Sequence, residues 1–135
     1  MPQRRQWRLV REIFVADTDA EAWRLSVDDM MGRMNREYFL PLLTDVGVIE
    51  FLKHDPSVAD SDVTPEYCGR HNWLIGSPAT VVEKIERMYD EVGGFGSLLL
   101  FCFDYSENPK AWHESMRLLA EEVMPKVAHL APPPA

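Results

Sequence analysis

The sequence predicts an α/β fold of parallel strands joined by helices, and three observations carry that prediction. The stretch Trp73 to Phe103 reads strand, capped helix, strand without interruption. A second strand-to-helix passage runs from Trp7 into the capping sequence at Thr18, and a third helix start, Asn108 with Pro109, follows the last strand directly. Strands joined by a crossover helix in one sheet connect with a right-handed turn, which makes them parallel and sets the helices outside.

Arg8 to Ala16 is the first expected strand. Thr18, with Glu21 three residues on, forms a capping box behind it. The helix so opened carries Ala22, Leu25, Met30, Met34 and Tyr38 toward the core and runs to about Phe39, where Pro41 breaks or bends it. Its methionines and aromatics read as core packing rather than a cofactor box. From Leu42 to Arg70 the periodicity fades. Leu43, Val46, Val48, Ile49, Phe51 and Leu52 allow a short amphipathic helix around Gly47, and the acidic run after Lys53-His54-Asp55-Pro56, as far as Glu66, reads as loop. Loops this long often serve as lids or binding loops; a surface excursion without function is the alternative.

Trp73 to Ile75 is the second, short strand. Ser77 and Pro78 then start a helix, since a Ser side chain accepts from first-turn amides and proline there loses nothing. Val81, Val82, Ile85, Met88, Tyr89 and Val92 form its apolar stripe, and Gly93 with Gly94 ends it. Ser97 to Phe103 is the third strand; its apolar run lacks alternation, as expected of a strand covered on both faces. The last helix carries a stripe of Trp112, Met116, Leu119, Val123, Val127 and Leu130, with a kink near Glu121 caused by Pro125. Residues 1–130 make one domain, and the proline-rich stretch 131–135 reads as a disordered tail. Three strands leave open edges, so a second copy of the chain, or a larger structure, is expected to cover them.

A chain of 135 residues can bury a real core without disulfides or metal. The net charge of −8 argues against nucleic acid or an anionic membrane surface as partner. No apolar run approaches the ~20 residues of a membrane span, and no leader is evident. Cys68, in a polar segment, and Cys102, in the apolar strand, lack CxxC spacing, which favours a reduced, cytoplasmic protein over a disulfide.

In parallel β/α folds the working residues stand at the carboxyl ends of the strands, here Asp17, Gly76-Ser77 and Asp104-Tyr105. The Gly76-Ser77-Pro78 turn offers free amides to an anion, or simply caps its helix. His54 and His71 lie at the two ends of the loop and meet if it folds back, whereas His113 and His129 face solvent on the last helix. No HExxH pattern or paired histidines point to a metal, and no GxSxG elbow to a nucleophile, so no catalytic residue is assigned. Trp73 offers a wall for a flat ring, or packs in the core.

Four ordered blocks carry a family resemblance: Arg8 to Ala22, Gly76 to Ile85, Glu91 to Gly96 and Ser115 to Pro125. Together they resemble the C-terminal part of the bacterial luciferase-like, flavin-dependent monooxygenases. Leu52-Lys53-His54-Asp55-Pro56 and Val63-Thr64-Pro65-Glu66-Tyr67 are nearest the limonene-monooxygenase-like branch. The resemblance implies a TIM-type barrel of eight β/α units, of which this chain holds the last three strands, since a complete barrel needs about 250 residues. It also implies reduced flavin mononucleotide (FMN) supplied by a separate reductase, and oxidation of a small organic substrate with dioxygen. A sister branch uses a deazaflavin. By the same resemblance Trp73, Gly76 and Ser77 fall beside the flavin ring, and Lys53, His54 and His71 belong to a mobile lid over about 51–73. A non-catalytic truncated remnant, or a self-associating interaction module, is the competing reading.

Overall fold

The computed structural model describes residues 4–130, so the tail expectation at 131–135 lies outside the described residues. The first extended segment is interrupted at Glu12, giving β1 (Arg8–Arg11) and β2 (Ile13–Val15). β1 pairs in parallel with β4 (Ser97–Leu100), placing Val10 opposite Leu99. β2 pairs in parallel with β3 (Leu74–Gly76), placing Phe14 opposite Ile75. The carbonyls of Arg11 and Glu12 accept from the amides of Phe101 and Leu74, both at 2.9 Å, so one segment feeds both ladders. The parallel sense agrees with the crossover argument. β4 is shorter than the expected Ser97 to Phe103 strand and ends at Leu100.

Side chains alternate across a strand, and here the alternation sorts the core into two clusters. Phe14 and Ile75 face one way, against helices α1 (Asp19–Ser26), α2 (Met30–Met34), α3 (Leu40–Asp45) and α4 (Pro65–His71). Ile13, Val15 and Leu74 face the other way, against α5 (Pro78–Val92) and the helix that begins with α6 (Pro109–Leu118). β2 and β3 are buried at every position. β1 and β4 are not, which corrects the expectation that Leu98 to Phe103 is covered on both sides. Val10 is 48% exposed and its partner Leu99 45%, so one face of that ladder is an open apolar strip. A continuous apolar run reports what a strand can bury, and this chain supplies cover for one face only.

The helix starts follow local chemistry. Thr18, Ser77 and Asn108 accept from the amides of Glu21, Thr80 and Ala111, and Gly93 closes α5 at φ 76°. The single helix expected from Thr18 to Phe39 is instead broken at Val27 to Asp29, where the Asp29 amide bonds back to the Ser26 carbonyl. Beyond the break, 30–45 is one helical rod. Pro41 does not end it. A π turn at Asn35–Phe39 precedes the proline, with the Leu40 amide reaching the Asn35 carbonyl. Proline has no amide for the Glu37 carbonyl and its ring crowds that group, and a wider turn takes up both defects. Pro125 has the same companion, a π turn at Leu119–Val123 with the Met124 amide on Leu119, at the distortion expected near Glu121. The change of phase leaves Tyr38 at 55% exposure rather than in the core. On the last helix Ala111, Ser115 and Leu118 are buried, one step off the expected stripe, while Val123 is buried as expected.

The segment expected as loop to Glu66 is partly helical. A short 3₁₀ turn occupies Asp60–Asp62, and Thr64 caps α4 by accepting from the Tyr67 amide; before the loop, where a short helix around Gly47 is expected, a 3₁₀ turn occupies Ile49–Leu52. The cysteines exchange their expected settings: Cys68 is buried in α4, Cys102 is exposed, and both are free thiols.

Candidate functional site

At the carboxyl ends of β2 and β3 two helix starts meet. An Asp19 carboxylate oxygen, in the first turn of α1, accepts the Ser77 amide at 2.7 Å, while Ser77 Oγ serves the first turn of α5. Gly76 makes the approach possible. Its φ is 155°, and a Cβ there would stand 2.6 Å from Thr80 Cγ2 and 2.8 Å from the Asp19 oxygen. The anion suited to the Gly76-Ser77 turn is thus furnished by the chain itself. Hydrogen bonds from the Ser77 amide and then Thr80 hold the Asp19 carboxyl below its ordinary range. A lowered folded pKa adds stability that is present above the unfolded value, about pH 3.9, and is lost as pH falls through the folded one. Asp19→Asn keeps an acceptor and removes the titration. It should cost no more than about 1 kcal/mol at neutral pH, the group being solvent-screened, and flatten the acid limb of stability against pH in urea unfolding. An unchanged acid limb would refute this reading of Asp19.

The other strand-end residues are structural or exposed. Tyr105 is buried against Phe14 and Trp112, and its hydroxyl donates to the Leu25 carbonyl. Asp104 accepts the Ser106 amide in a turn, and Asp17 is exposed.

The two histidines at the loop ends do meet. The His54 and His71 rings stack at 4.0 Å between centroids, 3° from parallel. Tyr67 joins them: its hydroxyl accepts the His54 amide at 2.9 Å and pairs with His54 Nδ1. Desolvation, then His54 and Arg70, lowers the His71 pKa, so His71 favours its neutral form. Lys53 is tied separately to Asp60 at 2.5 Å, and Asn72 Nδ2 donates to the Leu52 carbonyl. The sequence reading missed Tyr67. Its signal was the Thr64-Pro65 helix start, which puts Tyr67 and His71 four residues apart on one helix face.

Trp73 is buried, 4% exposed, and one side of it lines a cavity of about 300 Å³. Phe39, Phe51, Leu52 and Phe101 supply apolar walls, with Asn35, Asn72, Arg11 and Glu12 as the polar groups. Burial pushes the Glu12 carboxyl up, against its backbone hydrogen bond and Arg11. Cys68, also on the wall, has its thiol pushed up to about 11 by burial, so it is no thiolate nucleophile at neutral pH. Such a chamber suits a flat, mostly apolar ligand held by a few polar contacts. Gly76 and Ser77 do not line this cavity, and Lys53, His54 and His71 do not either. Among the described residues, no three His, Cys, Asp or Glu side chains are placed to hold a metal ion, and no helix is long and apolar enough to cross a membrane.

Known proteins resemble this arrangement closely. The chain is 39% identical over 136 residues to 2,5-diketocamphane 1,2-monooxygenase 1 of Pseudomonas putida, covering 93% of this chain and 35% of that protein. It is 32% identical over 126 residues to 3,6-diketocamphane 1,6-monooxygenase of the same organism, covering 93% and 33%. The solved oxygenating constituent of 3,6-diketocamphane monooxygenase, a type II Baeyer-Villiger monooxygenase from the CAM plasmid of Pseudomonas putida in complex with FMN, superposes with a TM-score of 0.86 at 32% identity, over 93% of this chain and 35% of that one. The chain's relatives are luciferase-like, flavin-dependent monooxygenases, and it matches one part of them. It spans about a third of the length of the curated relatives it matches. Its parallel strands and helices are accordingly a partial unit of this family's barrel. The solved structure of apo-MsnO8, at 24% identity and a TM-score of 0.53 over 95% of this chain and 36% of that one, shares the fold alone. No protein-family model matches the sequence.

Proposed function

We propose that this chain is the C-terminal segment of an FMN-dependent monooxygenase that inserts oxygen beside a carbonyl of a small cyclic ketone. Reduced FMN would come from a separate reductase, and dioxygen supplies the oxygen. The match to the FMN-bound diketocamphane enzyme along 93% of the chain carries this reading. The residues fit one end of a flavin site. The Trp73 cavity has aromatic walls for a ring or an apolar substrate, but Arg11 is the one cation on it. The phosphate end is therefore assigned to the part of the barrel that the relatives have beyond this match. Trp73 forms the wall on this side, Gly76 and Ser77 lie beyond it at the start of α5, and 51–73 is the lid, with Lys53 and the stacked His54 and His71 fixing its closed position.

The test mixes the purified chain with the remaining segment of a diketocamphane monooxygenase, reduced FMN and dioxygen, and assays the ketone for lactone. Lactone formation that needs both segments supports the proposal; a soluble complex of the two that forms no lactone would overturn it. The open Val10 and Leu99 strip favours a second reading, self-association of a non-catalytic remnant. Light scattering on the isolated chain decides that point, since a monomer at high concentration excludes it.

A further inference from the structure

We propose that the chain binds a phosphate-type oxyanion in a cationic cavity between the end of α4 and the middle of α5, which shares Arg11, Asn72 and Trp73 with the aromatic chamber and adds Arg70, His71, Lys84 and Arg87. The cavity measures about 120 Å³, and Arg11, Arg70, His71, Lys84 and Arg87 all line it. Four of these side chains are obligate or strong cations, gathered on a chain whose net charge is −8. Outside the cavity Arg24, Arg33, Arg36, Lys53 and Arg117 each sit in a salt bridge, while Arg8, Lys110 and Lys126 stand singly on the surface rather than gathered in a cavity. Among the described residues, Arg70 and Arg87 have no carboxylate within ion-pairing distance, and Arg11 turns one guanidinium nitrogen onto the Val10 carbonyl. Glu91 is the single carboxylate on the cavity wall, Glu12 lies near Arg11, and Asp19 and Glu83 act on Lys84. These equal the four cations in number, but among the described residues none is ion-paired to Arg70 or Arg87.

Like charges held this close repel unless an anion lies between them. Lys84 shows the repulsion: its ammonium donates to the Ile75 carbonyl at 3.0 Å, and its pKa is lowered by desolvation and then by Arg87. Arg70 on α4 and Arg87 on α5 both line the cavity, and their guanidinium groups are donors suited to a tetrahedral oxyanion. Asn72, at the cavity wall, adds a polar side chain whose amide is directed to Leu52. The small volume holds one such group, either as the free ion or as the terminus of a larger monoester.

The experiment titrates the full chain with inorganic phosphate at fixed ionic strength, following thermal unfolding and calorimetric heat, with chloride as control and phenyl phosphate as the monoester arm. Half-saturation below about 1 mM is expected, with a Tm increase that chloride does not give. The Arg70→Ala, Arg87→Ala double variant changes two exposed side chains and should fold with unchanged circular dichroism, but lose at least tenfold in phosphate affinity. A monoester that binds as tightly as phosphate identifies the terminus of a larger ligand; one that binds much more weakly identifies the free ion. Equal shifts with chloride, or undiminished affinity in the double variant, would overturn the proposal. Should the double variant misfold, Arg70→Gln and Arg87→Gln tested singly carry the same expectation at a smaller loss.

Discussion

Gly32→Ala is expected to destabilise the chain by at least about 2 kcal/mol, although the same change inside a helix ordinarily stabilises by roughly 0.5–1 kcal/mol. The reversal comes from the break between α1 and α2. A Cβ on Gly32 would fall 1.7 Å from the Val27 carbonyl oxygen and 2.7 Å from its carbon, and both are main chain. Backbone cannot swing aside as a side-chain tip can, so α2 would have to lift away from the end of α1. Val27 and Met31 are fully buried on either side, and the shift would open the core beneath them. Urea unfolding followed by circular dichroism measures the effect. A midpoint equal to or above that of the parent chain would show that α1 and α2 do not meet in this way.

Phe14→Ala should cost about 3–5 kcal/mol. Phe14 has no exposed surface and stands where β2, α6 and the Tyr105 turn converge, with ring centroids 5.4 Å from Tyr105 and 6.4 Å from Trp112. Against a total of about 5–15 kcal/mol for a domain, the loss brings the chain close to unfolding. Phe14→Leu retains most of the volume and should cost far less. The two variants together separate a cavity effect from a general intolerance at the site: equal losses would contradict the packing described for Phe14.

What the sequence revealed were the features set by nearest neighbours. Ser77, Asn108, Thr18 and Gly93 mark helix ends because capping is settled within four residues. The parallel sense of the strands followed from chain handedness. The break after Ser26 was hidden, because the contact that requires Gly32 is made by Val27 in space and leaves no periodicity to read. Ser115 was passed over as polar, yet it is fully buried: its hydroxyl accepts the Val15 amide at 2.9 Å and closes an otherwise unpaired strand position. At the candidate site the meeting of His54 and His71 was legible from the loop ends, whereas Tyr67 between them was not. The cationic cavity was equally hidden, since Arg11, Arg70 and Arg87 come from three separate elements and gather only in the fold.

The two π turns make the prolines that follow them into phase locks. A straight α-helix advances about 100° per residue, so a turn that takes in one extra residue rotates everything downstream by that step. Leu118 and Val123 are buried five residues apart, as are Asn35 and Leu40, spacings that a regular helix would place on different sides. Glu37 and Glu121, four residues before each proline, are exposed, so water can reach the carbonyls that have lost their usual partner. With alanine at Pro41 or Pro125 the turn is free to close to α geometry and the following segment to rotate back. Each proline thus decides which side of its rod faces the protein, a choice written in one residue and read out over the whole turn that follows.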